Sequence, residues 1–163
     1  MSLIDNFLPK NKQGNPVVEG EKPVDVIPVD MAIDEFNRFC EVWEIDYNDS
    51  GMKSDDKVDF ESLKNKIVKA IQKGRLCLNE DNTLSYTISD NTENPKKRGA
   101  TLIIKRPKGD AYLSMDKYKE GQGMHKFNAL LGAMTNHAPE YFSDIDGLDL
   151  KPIQAVVQLF LAD

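Results

Sequence analysis

Hydrophobic residues recur at helical spacing in four parts of the chain, and two of these stripes lie in the N-terminal half. The first stripe predicts an amphipathic helix over residues 30–45, with Asp30 as a suitable N-cap. The second predicts a helix that starts at Asp59 and ends at Gly74, because glycine is the usual left-handed residue after a helix. The apolar positions of the two stripes are Ile33, Phe36, Cys40 and Trp43, and then Phe60, Leu63, Ile67 and Ile71.

The two C-terminal stripes predict further helices. One helix follows the break at Gly121 and Gly123 and stops near residue 136, and the other has Pro152 in its first turn. Most stripes of this kind pack into the core, but we expect part of this surface to bind another protein by placing an apolar helix face in a groove. The candidate protein-binding residues are Met124, Phe127, Leu131, Met134, Ile153, Val157 and Phe160.

Alternating apolar residues between the helical parts predict β-structure. The alternation on both sides of the polar segment 79–82 indicates a hairpin, and the β-branched run 101–105 is the candidate third strand. A short helix with Asp110 as its N-cap follows. These elements predict an α+β fold, mostly helical, with a small antiparallel β-hairpin or three-stranded sheet. The alternating residues of the hairpin are Leu76, Leu78, Leu84, Tyr86 and Ile88.

The distribution of proline divides the chain into parts. Residues 1–28 contain four of the eight prolines and little apolar periodicity, which is typical of a flexible arm. An N-terminal helix pair, residues 29–74, and a β-hairpin with a helical C-terminal unit, residues 75–163, follow the arm. Alternatively, residues 29–163 form one globular domain, since a chain of this length can bury roughly 70% of its unfolded surface.

The formal net charge of −6 argues against a general nucleic-acid binder, because affinity for phosphates comes from clustered lysine and arginine. Residues 96–108 are a local exception, although their prolines and glycines indicate a loop around a short strand. We interpret this stretch as a solvated basic loop, with a contact to phosphate or to an acidic partner as the alternative. Its basic residues are Lys96, Lys97, Arg98, Lys105, Arg106 and Lys108.

The cysteines and the hydropathy pattern favour a reducing compartment. Cys40 and Cys77 are 37 residues apart and lack the paired spacing of zinc or redox motifs. The sequence has no run of about 18 apolar residues that could cross a membrane, and its N-terminus lacks the pattern of a signal peptide. These features predict a cytoplasmic protein.

Few residues offer catalytic chemistry. His125 and His137 stand outside metal-binding and triad motifs, and no nucleophile elbow, phosphate-binding loop or dinucleotide fingerprint occurs. Asp144, Asp146 and Asp149 lie around the predicted start of the last helix, where capping is their simplest role and cation binding is the alternative. The sequence therefore predicts a protein that is not an enzyme and that uses no cofactor.

Residues 46–57 partly match a calcium-binding EF-hand loop. Asp46, Asn48 and Ser50 stand at the first three ligand positions, and Gly51 stands where such a loop turns. Position twelve is Lys57 instead of a bidentate glutamate. We interpret the segment as a polar helix connector and keep Asp46, Asn48 and Ser50 as a weak candidate metal site.

The C-terminal part of the chain, about residues 75–163, carries a distinctive order of short motifs. They are the hairpin 75–88, the strand end Ile103-Ile104-Lys105-Arg106-Pro107, the helix with Met115-Asp116-Lys117, the run Ala129-Leu130-Leu131-Gly132-Ala133-Met134-Thr135, and the segment from Ile153 to Leu161. In order and spacing these motifs resemble the bacteriophage tail assembly chaperones, which are encoded near the tail tape-measure gene in phages and prophages.

The resemblance implies a non-enzymatic chaperone in the bacterial cytoplasm that binds the tape-measure protein or the tail-tube protein and tends to self-associate. Residues 1–74 have no counterpart in the usual short form of that family. Two other functions fit the sequence. One is a structural component of a phage tail or a related injection machine, and the other is a cation- or nucleic-acid-responsive regulator built on residues 46–57 or 96–108.

Overall fold

A computed structural model of the protein describes residues 26–46 and 54–161, and for residues 54–58 it describes the backbone alone. In this part of the chain five α-helices and a three-stranded antiparallel sheet surround one core, which confirms the predicted α+β fold with more helix than sheet. The helices are α1 Val29–Val42, α2 Ser54–Gln72, α3 Gly109–Leu113, α4 Gly123–Thr135 and α5 Gly147–Leu161, with a 3-10 helix, Pro139–Phe142, before α5; the strands are β1 Leu76–Leu78, β2 Leu84–Thr87 and β3 Thr101–Ile104.

The sheet is a meander in which β2 lies between β1 and β3. Leu78 pairs with Leu84 across the hairpin, and Tyr86 pairs with Leu102 of β3. Alternate residues of each strand point into the core, as the two-residue period of a strand requires, while Ile103 on the opposite face is 40% exposed. The predicted hairpin and third strand are therefore confirmed.

Helices α2 and α5 pack against each other in antiparallel directions. Leu63 in the first half of α2 shares a surface groove with Leu161 at the end of α5, and Lys73 just after α2 shares a pocket with Leu148 at the start of α5. Among the described residues no helix combines the length and the apolar character that crossing a membrane requires. Buried residues of α1 and α2 belong to the same core as those of the sheet and of α5.

Trp43, the residue after α1, joins three parts of the fold. Its ring is 2% exposed and lies 5.0 Å from the ring of Phe39 and 5.1 Å from that of Phe160 in α5, measured between centroids. The indole N–H donates a hydrogen bond of 2.7 Å to the backbone carbonyl of Asn82 in the hairpin turn. The side chain therefore contacts α1, α5 and the sheet at once.

Helix α2 ends next to Gly74, as the sequence predicts. Gly74 has a φ of +70°, a left-handed conformation that glycine adopts without steric cost. Its N–H donates to the carbonyl of Ile71 at 2.9 Å, and the N–H of Arg75 donates to the carbonyl of Ala70 at 3.0 Å. This pair of bonds satisfies two carbonyls at the helix end, as in a Schellman motif.

Two helix starts are shifted by a short distance from their predicted positions. Helix α1 begins at Val29 after the N-cap Pro28, so Asp30 lies in the first turn and not at the cap. Similarly, Lys108 is the N-cap of α3, and Asp110 lies in the first turn. A carboxylate is favourable at both kinds of position because it interacts with the positive end of the helix dipole, and the residue type alone does not separate them.

Two other helices begin earlier than predicted. Helix α2 starts at Ser54, so Asp59 lies inside the helix and the polar connector is shorter than residues 46–57. Helix α5 starts at Gly147, which makes Pro152 its sixth residue and not a residue of the first turn. A proline at this position lacks the N–H that would bond to the carbonyl four residues earlier.

The predicted flexible arm lies largely outside the described residues, which begin at residue 26. The N–H groups of Val26 and Ile27 both donate to the carbonyl of Gln72, at 2.7 and 2.9 Å. Residues 26–28 therefore lie at the C-terminal end of α2, where they satisfy a carbonyl that the helix itself leaves free.

Candidate functional site

A fully buried carboxylate, that of Asp149, lies where the first turn of α5 meets the sheet. It accepts hydrogen bonds from the hydroxyls of Tyr86 at 2.8 Å and Ser89 at 2.7 Å, and from the backbone N–H of Ser89 at 3.2 Å. The hydroxyl of Thr92 donates at 3.3 Å, and the guanidinium of Arg75 lies 3.6 Å away. Both carboxylate oxygens have partners, and we call these five residues the Asp149 network.

The sequence predicts a capping role for Asp144, Asp146 and Asp149. In the structure, Asp149 belongs to the network and does not have this role. Asp146 has that role, because its carboxylate accepts the N–H of Leu148 at 2.9 Å. Asp149 faces the sheet instead, and burial, followed by the charge of this carboxylate, raises the pKa of Tyr86. The network therefore fastens the start of α5 to β2.

A pocket of about 280 Å³ lies beside the network, between the C-terminal part of α2 and the start of α5. Arg75 and Tyr86 belong both to the network and to the lining of this pocket. No acidic residue lines it among the described residues. The rest of the lining consists of three residues with apolar side chains, Ala70, Leu148 and Pro152, and four lysines, Lys66, Lys69, Lys73 and Lys151.

The four lysines of the pocket are exposed and converge from two helices. Lys66, Lys69 and Lys73 are spaced i, i+3 and i+7 along and just after α2, and Lys151 comes from α5. In the part of the chain that the structure describes, none of the four forms an ion pair. With Arg75 they place five cationic side chains around one concave surface.

The sequence does not predict this pocket. Lys66 and Lys151 are 85 residues apart, and their proximity follows from the antiparallel packing of α2 against α5. The sequence contains one indication of the pocket, the spacing of three lysines on one face of α2. A solvated helix face has the same pattern, so this spacing alone does not predict a pocket.

The seven candidate protein-binding residues have different environments. Met124 is 59% exposed, whereas Phe127 and Phe160 are half-buried and pack against the core. The other four are at most 2% exposed, so these side chains fill the core and a partner cannot reach them without unfolding the protein. These core residues are Leu131, Met134, Ile153 and Val157.

Exposed apolar side chains lie on α3 and at the beginning of α4. Leu113 is 68% exposed, Tyr112 is 40% exposed, and Met124 at the start of α4 is 59% exposed. Helix α3 packs against α4, and the ring of Tyr118 between them stacks on His125 of α4 at 5.7 Å. We call Tyr112, Leu113 and Met124 the α3–α4 surface.

The basic stretch 96–108 is partly bound within the protein. Lys97 contacts the carboxylate of Asp144 and lies 4.1 Å from the ring centre of Tyr141. The bond from Lys97 is the main reason that the pKa of Asp144 lies below its usual range. Arg98 donates to two carbonyls of the preceding loop, and Arg106 pairs with a glutamate just after α1 at 3.3 Å. These three cations therefore have structural partners.

The weak candidate metal site lies largely outside the described residues, and the two histidines lie at the surface. Within residues 26–46 and 54–161 no three histidine, cysteine, aspartate or glutamate side chains come together to hold a metal ion. Asp46 is exposed, while Asn48 and Ser50 of the predicted cation loop lie outside the described residues. His125 and His137 are both exposed, and His137 stacks on a tyrosine ring at 4.0 Å.

The two cysteines are expected to differ in reactivity. Cys40 is fully buried, and burial raises its pKa to about 12, whereas Cys77 is exposed. Because the thiolate is the reactive species, we expect one thiol per native chain to react with a disulfide reagent near pH 8, and both to react after denaturation. Thiol counting by absorbance measures this. Cys77→Ser should abolish the reaction of the native protein, and two fast thiols in the native wild type would contradict the burial of Cys40.

Comparisons of this chain with protein-family models, with curated proteins and with solved structures find no match. The Asp149 network, the basic pocket beside it and the α3–α4 surface are the features of the described residues that bear on function.

Proposed function

We propose that the protein is a binding factor without enzymatic activity, and specifically a phage or prophage tail assembly chaperone that binds the tape-measure or tail-tube protein. The observation that carries the proposal is the α3–α4 surface, where three apolar side chains are between 40% and 68% exposed. The resemblance of residues 75–163 to tail assembly chaperones supplies the class of client.

The α3–α4 surface suits an apolar helical client. Leaving a leucine or methionine side chain in water forgoes about 1.5–3 kcal/mol relative to burying it, and a partner that covers Leu113 and Met124 recovers part of this. Methionine is flexible and polarizable, so Met124 can adapt to clients of imprecise shape. A helix face with anchors at helical spacing would cover such a surface.

Several residues with reactive groups have structural roles, which supports a binding function over a catalytic one. Both carboxylate oxygens of Asp149 accept hydrogen bonds from the protein. The thiol of Cys40 lies in the core, and the rings of His125 and His137 stack on tyrosines.

Co-expression with the tape-measure protein encoded in the same genome tests the proposal. The wild type should keep that client soluble and co-purify with it, whereas Leu113→Glu with Met124→Glu should weaken the complex at least about tenfold, because two charges replace its apolar anchors. The matched control is Val29→Glu with Met31→Glu on α1, where the two side chains are 53% and 60% exposed.

The control variant should bind the client as the wild type does, and both variants should keep the wild-type circular dichroism. A client that is equally insoluble with and without this protein would contradict the chaperone function. Detection of the protein in purified phage particles would instead indicate a structural component of the tail.

A further inference from the structure

We propose that the pocket between α2 and α5 binds a phosphorylated small molecule, with Lys66, Lys69, Lys73 and Lys151 as the phosphate-binding side chains. The proposal is independent of the chaperone function, since the pocket and the α3–α4 surface share no residue. Lysine ammonium groups form charge-assisted hydrogen bonds with phosphate oxygens, and convergence from two helices allows several of them to contact one phosphate.

Neither the net negative charge of the protein nor the helix dipoles explain why four lysines lie together at this pocket. The chain has a net charge of −6, yet these four cations surround a pocket that no acidic residue lines among those described. Like charges three or four residues apart on a helix repel each other. The dipole of α2 favours Lys69 and Lys73 near its C-terminal end, but it accounts neither for Lys66, almost two turns earlier, nor for Lys151 in α5. A bound polyanion would offset the repulsion among all four.

Asp149 does not serve as the counterion of these lysines. Its carboxylate is fully buried, and its oxygens accept bonds from Tyr86 and Ser89. It lies 3.6 Å from the guanidinium of Arg75, whose side chain remains 19% exposed at the pocket. Asp149 therefore pairs with Arg75 and leaves the four lysines without a carboxylate partner among the described residues.

The size and the walls of the pocket indicate more than a bare phosphate ion. Its volume of about 280 Å³ is many times the roughly 10–15 Å³ that a single water molecule needs. The apolar wall includes Leu148, which is 59% exposed, and Pro152. A ligand with an organic body and a phosphate or diphosphate group, such as a nucleotide, matches both the apolar wall and the cations.

Calorimetric titration of the full chain at low ionic strength tests the proposal with four probes: ADP, pyrophosphate, inorganic phosphate and adenosine. ADP should bind, adenosine should bind at least about tenfold more weakly, and added salt should weaken ADP binding because the contacts are ionic. Pyrophosphate that binds as tightly as ADP would overturn the inference of an organic body and leave an inorganic polyphosphate as the ligand, whereas tighter binding of ADP would support a phosphate ester.

A triple variant, Lys69→Gln with Lys73→Gln and Lys151→Gln, should weaken ADP binding at least about tenfold, as expected when three charge-assisted contacts are lost. The matched control is Lys96→Gln with Lys105→Gln and Lys108→Gln, which removes the same charge from exposed positions outside the pocket. Amide chemical-shift mapping of the wild type with ADP gives a second measurement that needs no variant, and the shifts should lie in residues 66–75 and 147–152.

Several outcomes would overturn the proposal. They are the absence of binding by any phosphate compound at millimolar concentration, an equal loss of affinity in the two triple variants, and chemical shifts outside the pocket segments. Binding of an acidic peptide in the absence of binding by phosphate compounds would also overturn it, and would indicate a protein partner at this pocket.

Discussion

Replacing Asp149 with alanine is expected to lower the free energy of unfolding by about 3–5 kcal/mol, because several buried donors lose a charged acceptor at once and each unsatisfied donor costs about 1–3 kcal/mol. The substitution leaves the hydroxyls of Tyr86 and Ser89 without their acceptor inside the protein, and it leaves Arg75 without its carboxylate. Because Tyr86 is 1% exposed and Asp149 is fully buried, water replaces the lost hydrogen bonds poorly. Urea denaturation followed by circular dichroism measures the change.

Two control variants show whether the loss of stability comes from the charge of Asp149, from its shape, or from removing any carboxylate in this part of the chain. Asp149→Asn keeps one oxygen acceptor and nearly the same volume, so it should lose less stability than the alanine variant. Asp144→Ala removes an exposed carboxylate from the same loop region, and its effect should be much smaller because exposed ion pairs contribute little. Equal denaturation midpoints for Asp149→Ala and the wild type would contradict the role of the network.

Replacing Trp43 with alanine is also expected to lower the free energy of unfolding by about 3–5 kcal/mol, since it removes the largest of the buried side chains and leaves a cavity. The cavity would open between Phe39 and Phe160, where α1 meets α5. The carbonyl of Asn82 would in addition lose the indole N–H that binds it at 2.7 Å. Because Trp43 is the single tryptophan, the measurement must use circular dichroism and not tryptophan fluorescence.

Trp43→Phe is the matched control for this prediction. It keeps an aromatic ring in the site but removes the N–H, so we expect a loss of about 1–2 kcal/mol from the unpaired carbonyl and the smaller ring. A loss below about 1 kcal/mol for Trp43→Ala would mean that the neighbouring rings close the cavity, and that Trp43 does not hold α1, α5 and the hairpin together.

The proposed chaperone surface and the proposed phosphate pocket can be tested separately. Leu113 and Met124 lie on α3 and α4, whereas the pocket lysines lie on α2 and α5. A variant at one site should therefore leave the other function at the wild-type level, because sites without shared contacts usually act independently.

The local pattern of the sequence determined the kinds of secondary structure. Apolar periods of about 3.6 and of 2 residues are properties of single helices and strands, so α1, α4 and the hairpin could be predicted from them. The end of α2 was predictable as well, because Gly74 adopts a conformation that few other residues tolerate. The starts of α1 and α3 were not, since acidic residues stabilise both the cap and the first turn.

Tertiary structure decided which of these side chains are available for function. The spacing of Leu131 and Val157 marks a helix face that becomes buried, but it does not say which element covers that face, and both are core residues. Asp149 and the pocket lysines depend on contacts between residues far apart in the chain, such as Tyr86 with Asp149, 63 positions away. Periodicity is local and carries no information on such pairs, so the buried network and the basic pocket could only be found in the folded molecule.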